Sequence, residues 1–261
     1  MVDLDLGTDE VLLAVDGHVA TLTLNRPAKL NAVTAEMAGA IAEAVARCDA
    51  SDDVRAIVVT GAGRAFCAGS DIRELDRYAT PWDFRNRPDY CDAIRAARTP
   101  TIAAVNGHAL GGGLETALSC DIRIAATTAT FAAPEIKLGW IGGGGMTSLL
   151  TRAIGPSNTA LMIMTGDPID ADRALRWHLV SEVTAPDDLL ERAGQIAATI
   201  ASRAPIAAET AKANLRAAYS MPEDKAVEYE RDLQTICFAT EDAAEGRRAF
   251  AEKRAPVFRR R

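Results

Sequence analysis

A stacked α/β core followed by a helical C-terminal region is the fold class this sequence predicts. Three observations carry it. Short β-branched runs dominate the first half of the chain, amphipathic helical spacing dominates from Gly142 onward, and no low-complexity linker divides the 261 residues. Residues 11–15 and 19–24 read as a hairpin around Asp16-Gly17, a strong two-residue turn signal. Asn25-Arg26-Pro27 ends the second strand. Thr34 is a candidate N-cap, with Met37, Ile41, Val45 and Cys48 on one face of the helix behind it. Residues 55–60 form a buried strand running into Gly61-Ala62-Gly63, and residues 66–71 read as a loop. Residues 82–97 read as mostly helical, interrupted by Pro88. A strand over 101–106, a turn over 107–111 and a short helix over 112–119 follow, then strands over 121–125 and 130–132. The helical remainder holds one lone strand at 180–183, and Pro205, Pro222 and Glu241-Asp242 separate the last helices.

Hydrophobic residues make up 48% and charged residues 25%, the balance of an ordinary globular protein. No apolar run is long enough for a membrane helix, and the acidic start Met1-Val2-Asp3-Leu4-Asp5 has no signal-peptide pattern, so no membrane and a cytoplasmic location are expected. The net charge of −7 disfavours nucleic acid as a partner, because non-specific binding needs a basic face. The five cysteines are odd in number and widely spaced, which argues against a disulfide framework. Neither they nor the three histidines have metal-ligand spacing.

The chemistry concentrates in three segments. In Gly107-His108-Ala109-Leu110-Gly111-Gly112-Gly113-Leu114-Glu115 the chain turns into a helix whose first N–H groups are free. The N–H of Gly112 could stabilise an oxyanion, a Cβ there would crowd the pocket, and Glu115 would face the same space. In Phe66-Cys67-Ala68-Gly69-Ser70-Asp71-Ile72 the N–H of Ser70 is a second candidate donor. Phe131-Ala132-Ala133-Pro134-Glu135 places another carboxylate just after a strand. Two carboxylates beside glycine-rich turns suit proton transfer on a carbonyl compound. A dinucleotide loop fits less well, because Gly111-x-Gly113 is followed by Thr116 where the fingerprint needs glycine or alanine. Nucleophilic roles for Ser70 or Cys67 are weaker: Ser70 lacks the Gly-x-Ser-x-Gly elbow and Cys67 has no basic neighbour in sequence.

Taken in order, Asn25-Arg26-Pro27 with Leu30-Asn31-Ala32, then Phe66 to Asp71, then Ala104-Val105-Asn106-Gly107 with Gly111-Gly112-Gly113-x-Glu115, then Ala133-Pro134-Glu135, resemble the enoyl-CoA hydratase (crotonase) family. Thr240-Glu241-Asp242, Glu245-Gly246 and Phe250-x-x-Lys253-Arg254 resemble its C-terminal helix. The resemblance implies a spiral of ββα units over residues 1–200 and a helical trimerisation region over 201–261, with trimers that often pair into hexamers. It implies hydration of 2-enoyl-CoA thioesters by Glu115 and Glu135, with Ser70 and Gly112 as the oxyanion hole and no metal or redox cofactor. Enoyl-CoA isomerases, dehydratases of other acyl-CoAs, and an inactive acyl-CoA-binding or assembly protein are the alternatives. Ala68, Ser70, Asp71 and Ile72 match positions near the CoA adenine, and Lys29 and Leu30 match the CoA groove. Phe250 and Lys253 match positions that reach a neighbouring subunit's CoA. The chain departs from the pattern at Trp140-Ile141-Gly142-Gly143, where the family often has Ile-Pro, and at Ser70, where it often has alanine. Residues 77–89 are idiosyncratic and are expected to shape acyl-chain specificity.

Overall fold

A computed structural model describes residues 2–261. The chain opens with β1 (Val2–Leu4), then β2 (Val11–Asp16) and β3 (Val19–Leu24), which form the expected hairpin, with Val11 opposite Leu24 and Asp16 opposite Val19. Thr34 caps α1 (Ala35–Ala50) by accepting the N–H of Met37 at 3.1 Å. The face predicted from spacing is the buried one: Met37, Ile41, Val45 and Cys48 all pack inward.

Three successive β–β–helix units then build the spiral. The first holds β4 (Ala56–Gly61) and β5 (Ala65–Cys67), followed by three short helices: α2 (Ile72–Leu75), α3 (Pro81–Arg85) and α4 (Tyr90–Ala96). The second holds β6 (Thr101–Val105), β7 (His108–Leu110) and α5 (Gly112–Ser119). The third holds β8 (Ile122–Ala126), β9 (Thr130–Ala132), a 3₁₀ turn over Pro134–Leu138, and α6 (Met146–Thr165). Within each unit the first strand joins a seven-stranded sheet and the second joins a four-stranded one. In the large sheet β4, β6 and β8 lie side by side and parallel; in the small sheet β5, β7 and β9 do the same. Parallel strands buried on both faces read as continuous apolar runs, as Ala56–Gly61 and Thr101–Val105 do.

The chain then crosses β10 (Ile169–Asp170), which pairs with β9, and α7 (Ala171–Arg176). It returns to the large sheet through β11 (Glu182–Thr184), parallel to β8, and covers the outer face of that sheet with α8 (Leu189–Ala201). Past Ala201 it is helical: α9 (Pro205–Ala217), α10 (Glu223–Phe238) and α11 (Glu241–Glu252). Lys212 of α9 ties this region to the core. It is buried, pairs with Asp121 at 2.7 Å and donates to the Thr99 carbonyl at 2.8 Å. No residue of α10 is buried within the chain, and Ile236 and Phe238 are 57% and 64% exposed.

Several sequence expectations are corrected. Residues 66–71 and 107–111 are not purely loop and turn, since β5 ends inside the first and β7 runs inside the second. The helical stretch over 82–97, by contrast, is interrupted around Pro88 as expected, giving α3 and α4. The strand expected at 180–183 lies at Glu182–Thr184, because Leu179 and Val180 fill the core ahead of it, and it is not alone past Gly142, since β10 precedes it. No helix among the described residues is long and apolar enough to cross a membrane.

Candidate active site

The small sheet explains how three distant segments meet. Because β5, β7 and β9 are parallel neighbours, their C-terminal ends emerge along one edge. Ser70 follows β5, Gly112 follows β7 and Glu135 follows β9. A cavity of about 200 Å³ opens there. Ser70, Gly112, Glu115 and Glu135 all line it, together with Ala68, Ile72 and the segment from Trp140 to Gly143.

Backbone register aims the two donors. Gly69 and Asp71 are both hydrogen-bonded to Val33, through Val33 N–H to the Gly69 carbonyl at 2.8 Å and Asp71 N–H to the Val33 carbonyl at 2.9 Å. Strand alternation therefore turns the Ser70 N–H to the opposite side. Gly112 is the first residue of α5, so its N–H has no intrahelical acceptor. The two backbones approach closely: a Cβ on Gly69 would lie 2.9 Å from the Gly112 nitrogen. A Cβ on Gly112 would fall on the Tyr90 hydroxyl rather than crowd the cavity, so the spatial demand at Gly112 comes from behind the site. Tyr90 is buried beneath α5, and its hydroxyl is 3.4 Å from the Ser70 Oγ.

The two carboxylates stand in different surroundings. Glu115 is buried, and its Oε1 accepts the N–H groups of Gly144 at 2.8 Å and Met146 at 3.1 Å, at the start of α6. Glycine is required around it, since a Cβ on Gly142 or Gly144 would come within 2.8 or 2.7 Å of its oxygens. Burial pushes the Glu115 carboxyl up to about 7, against the pull of those two N–H groups, and the charges of Glu135 and Asp89 push the same way. Glu135 is half-buried beside Gly111, whose φ of 53° belongs to the left-handed region. Burial raises its carboxyl too, and its Oε2 accepts no hydrogen bond from any described residue. Two carboxyls with raised proton affinity thus line one cavity, an arrangement suited to proton transfer.

Nucleophilic catalysis by cysteine finds no support in these surroundings. Cys67 is fully buried and its thiol is pushed up to about 12 by burial, so the thiolate is absent at neutral pH.

The chain is similar to known proteins over nearly its whole length. The family model for enoyl-CoA hydratase/isomerase matches residues 15–261. A probable enoyl-CoA hydratase of Mycobacterium tuberculosis is 42% identical over 97% of this chain and 99% of its own length. One from Rhizobium meliloti is 42% identical with the same coverage. The crystal structure of enoyl-CoA hydratase subunit I from Geobacillus kaustophilus superposes with a TM-score of 0.91 at 38% identity, covering 97% of this chain and 98% of that one. The chain belongs to the enoyl-CoA hydratase/isomerase family.

The remaining residues matched to that family lie outside the cavity. Leu30 borders it, since its carbonyl accepts the Ala68 N–H at 3.0 Å, and its φ of 53° is left-handed. Lys29 is exposed at the end of a 3₁₀ turn. The Asp71 carboxylate is engaged structurally: it pairs with Arg26 at 2.8 Å and caps α2 through the Arg73 N–H, and the Arg26 guanidinium holds its carboxyl below the usual range. Phe250, 86% exposed, and Lys253 lie on and just after α11 and do not line the cavity of their own chain. Three contributors escaped sequence reasoning: Tyr90 behind Gly112, the N–H groups of Gly144 and Met146 on Glu115, and Arg87 on the cavity wall. The glycine run at 142–145 and the idiosyncratic segment 77–89, which holds Arg87, left the traces in the sequence.

The raised carboxyl of Glu115 has a consequence for stability. A group whose folded pKa lies above its unfolded value contributes stability below the unfolded pKa, and that contribution is lost as pH rises through the folded one. Here the window runs from 4.5 to about 7, so ionised Glu115 costs the fold roughly 3 kcal/mol at pH 8 and little at pH 5. Glutamine can still accept the two N–H groups without the charge. The melting temperature of Glu115→Gln is therefore expected to gain several degrees on wild type between pH 5 and pH 8. A pH-independent difference between the two proteins would contradict this.

Proposed function

We propose that this protein hydrates 2-enoyl-CoA thioesters to 3-hydroxyacyl-CoA, with Glu115 and Glu135 as the acid–base pair and the N–H groups of Ser70 and Gly112 as the oxyanion hole. The observation that carries the reading is two proton-holding carboxyls and two free N–H groups converging on one cavity. The names of the relatives support the same reaction. The thioester oxygen accepts from Ser70 and Gly112, which polarises the conjugated double bond. Glu115, ionised and fixed by the start of α6, takes a proton from water as the water oxygen bonds to C3. The electron pair of the double bond moves toward the thioester oxygen, giving an enolate-like species held by the two donors. Glu135, protonated, then delivers its proton to C2. One water is added, and the pair ends with its proton on Glu115, ready to be returned to Glu135 through solvent.

Lys29 and Leu30 at the groove, with Ala68, Asp71 and Ile72 near the adenine, serve CoA in this reading, and the net charge of −7 makes local cations necessary for its phosphates. Phe250 and Lys253 serve the CoA of a neighbouring subunit in a trimer or dimer of trimers. The half-buried Tyr229 and Leu233 and the exposed Ile236 and Phe238 of α10 support that assembly, since they lack cover within the chain.

The deciding experiment follows loss of the conjugated-enoyl absorbance across straight-chain 2-enoyl-CoA thioesters of several lengths, with sedimentation of the same preparation. Hydration by a trimer or hexamer is expected. Double-bond migration without water addition would replace this reading with an isomerase, and binding without turnover would replace it with an acyl-CoA-binding protein.

A further inference from the structure

One cation on the cavity wall has no role in the scheme above. Arg87 lies in the turn between α3 and α4 and lines the same cavity as the two glutamates. Its Nη1 donates to the Phe84 carbonyl at 2.7 Å, and its guanidinium stacks 3.9 Å over the Phe84 ring. These contacts fix the side chain but leave its charge without a counter-ion. Among the described residues no carboxylate forms an ion pair with Arg87. Its near neighbour Arg77 shows the contrast: Arg77 stacks on Tyr78 and also pairs with Glu74 at 3.2 Å. The wall beside Arg87 is apolar, formed by Ile72, Leu75, Phe84, Trp140 and Ile141. A half-buried guanidinium with no carboxylate in ion-pair reach keeps N–H groups available to a ligand of opposite charge.

Position along the cavity says which part of a ligand would supply it. The Gly142-Gly143 step runs from Glu115 toward Arg87. A Cβ on Gly142 would lie 2.8 Å from Glu115 Oε1, and one on Gly143 would lie 4.0 Å from Arg87 Nη2. With the thioester at Ser70 and Gly112 and the double bond at the glutamates, the acyl chain passes this step with its far end at the guanidinium. We propose that Arg87 is a specificity-determining residue that binds a carboxylate at the distal end of the acyl chain, so that the preferred substrates are 2-enoyl-CoA thioesters of dicarboxylic acids. The planar guanidinium, held by Phe84, keeps Nη2 and its remaining N–H groups free for a paired, charge-assisted contact with both carboxylate oxygens. This inference rests on the hydratase reading of the same site.

The test compares two 2-enoyl-CoA substrates of equal chain length, one ending in a carboxylate and one in a methyl group, with wild type and Arg87→Met. Methionine keeps an apolar stem against Phe84 and removes the charge. Wild type is expected to prefer the carboxylate-ended substrate in kcat/KM by about tenfold or more, the scale of a charge-assisted contact. Arg87→Met is expected to lose that preference through a higher KM for the carboxylate-ended substrate, and circular dichroism and melting temperature report an intact fold. Equal losses on both substrates would place Arg87 against CoA or in the scaffold and overturn the inference. A wild type that hydrates the methyl-ended substrate at least as well overturns this inference alone. A wild type that hydrates neither overturns the hydratase reading and this inference with it.

Discussion

Glu115→Gln and Glu135→Gln are each expected to lower kcat for enoyl-thioester hydration by about 10²-fold or more, the scale of lost acid–base catalysis. Substrate binding is expected to survive in both. The reason is the shared proton. Hydration needs a base for water and an acid for C2 in one cycle, and each glutamine removes one of these without changing the shape of the cavity. The two losses are expected not to add in the double variant, because a lone base or a lone acid accomplishes little without its partner. The pH profile carries the same logic. With Glu115 as base, kcat falls as the pH drops through about 7, where its carboxyl takes up a proton. With Glu135 as acid, kcat also depends on its carboxyl keeping a proton, which burial favours by raising its proton affinity above the usual carboxylate range. A Glu135→Gln variant that hydrates near the wild-type rate would sink the two-carboxylate scheme and leave a single-base isomerase. Steady-state kinetics on one enoyl-CoA across pH 5 to 9 distinguishes the cases.

How much of this was legible in the sequence depends on strand length. The large sheet was readable because Val19–Leu24, Ala56–Gly61 and Thr101–Val105 are five- or six-residue runs of β-branched and apolar residues. Of the small sheet only β9, at Thr130–Ala132, was readable. Its strands β5 and β7 have three residues each and run directly into glycine, so they carry the signature of a loop and a turn. Yet these strands set the geometry of the site. Without them the segments at Ser70, Gly112 and Glu135 were three separate glycine-flanked features, and only the family resemblance joined them. The identities of Glu115 and Glu135 were legible because a carboxylate beside a glycine turn is locally unusual. Their raised proton affinities were not, because desolvation depends on what packs around them. Arg87 was legible only as part of the idiosyncratic segment 77–89, and Tyr90 not at all, for a related reason. Each lies in or beside a short helix broken by Pro88, and each reaches the site through tertiary packing that no periodicity encodes.

Replacing Gly112 with alanine is expected to lower kcat by about 10²- to 10³-fold, and replacing Tyr90 with phenylalanine in the same protein is expected to restore at least about tenfold of that loss. Gly112 does not need glycine for its backbone angles, since its φ is not in the left-handed region that Gly111 and Gly69 occupy. It needs the space. The added Cβ meets the Tyr90 hydroxyl and sits 3.3 Å from both the Gly69 Cα and the Tyr90 Cζ. Tyr90 is buried in the core against α1 and α5 and cannot swing into solvent, so the start of α5 is pushed instead. In the proposed scheme that displacement moves the Gly112 N–H from the place assigned to the enolate oxygen, and losing one such donor costs about 2.7–4 kcal/mol of barrier. Phenylalanine removes the colliding oxygen and leaves ring contacts at 3.3 Å that yield by a few tenths of an ångström, so the rescue is partial. Tyr90→Phe alone is expected to stay close to wild type, because its hydroxyl makes only the 3.4 Å contact with Ser70 Oγ. Circular dichroism and melting temperature separate a misplaced donor from a failed fold. A folded Gly112→Ala protein with wild-type kcat, or a double variant no faster than the single one, would remove Gly112 from the oxyanion hole and leave the thioester oxygen to another donor.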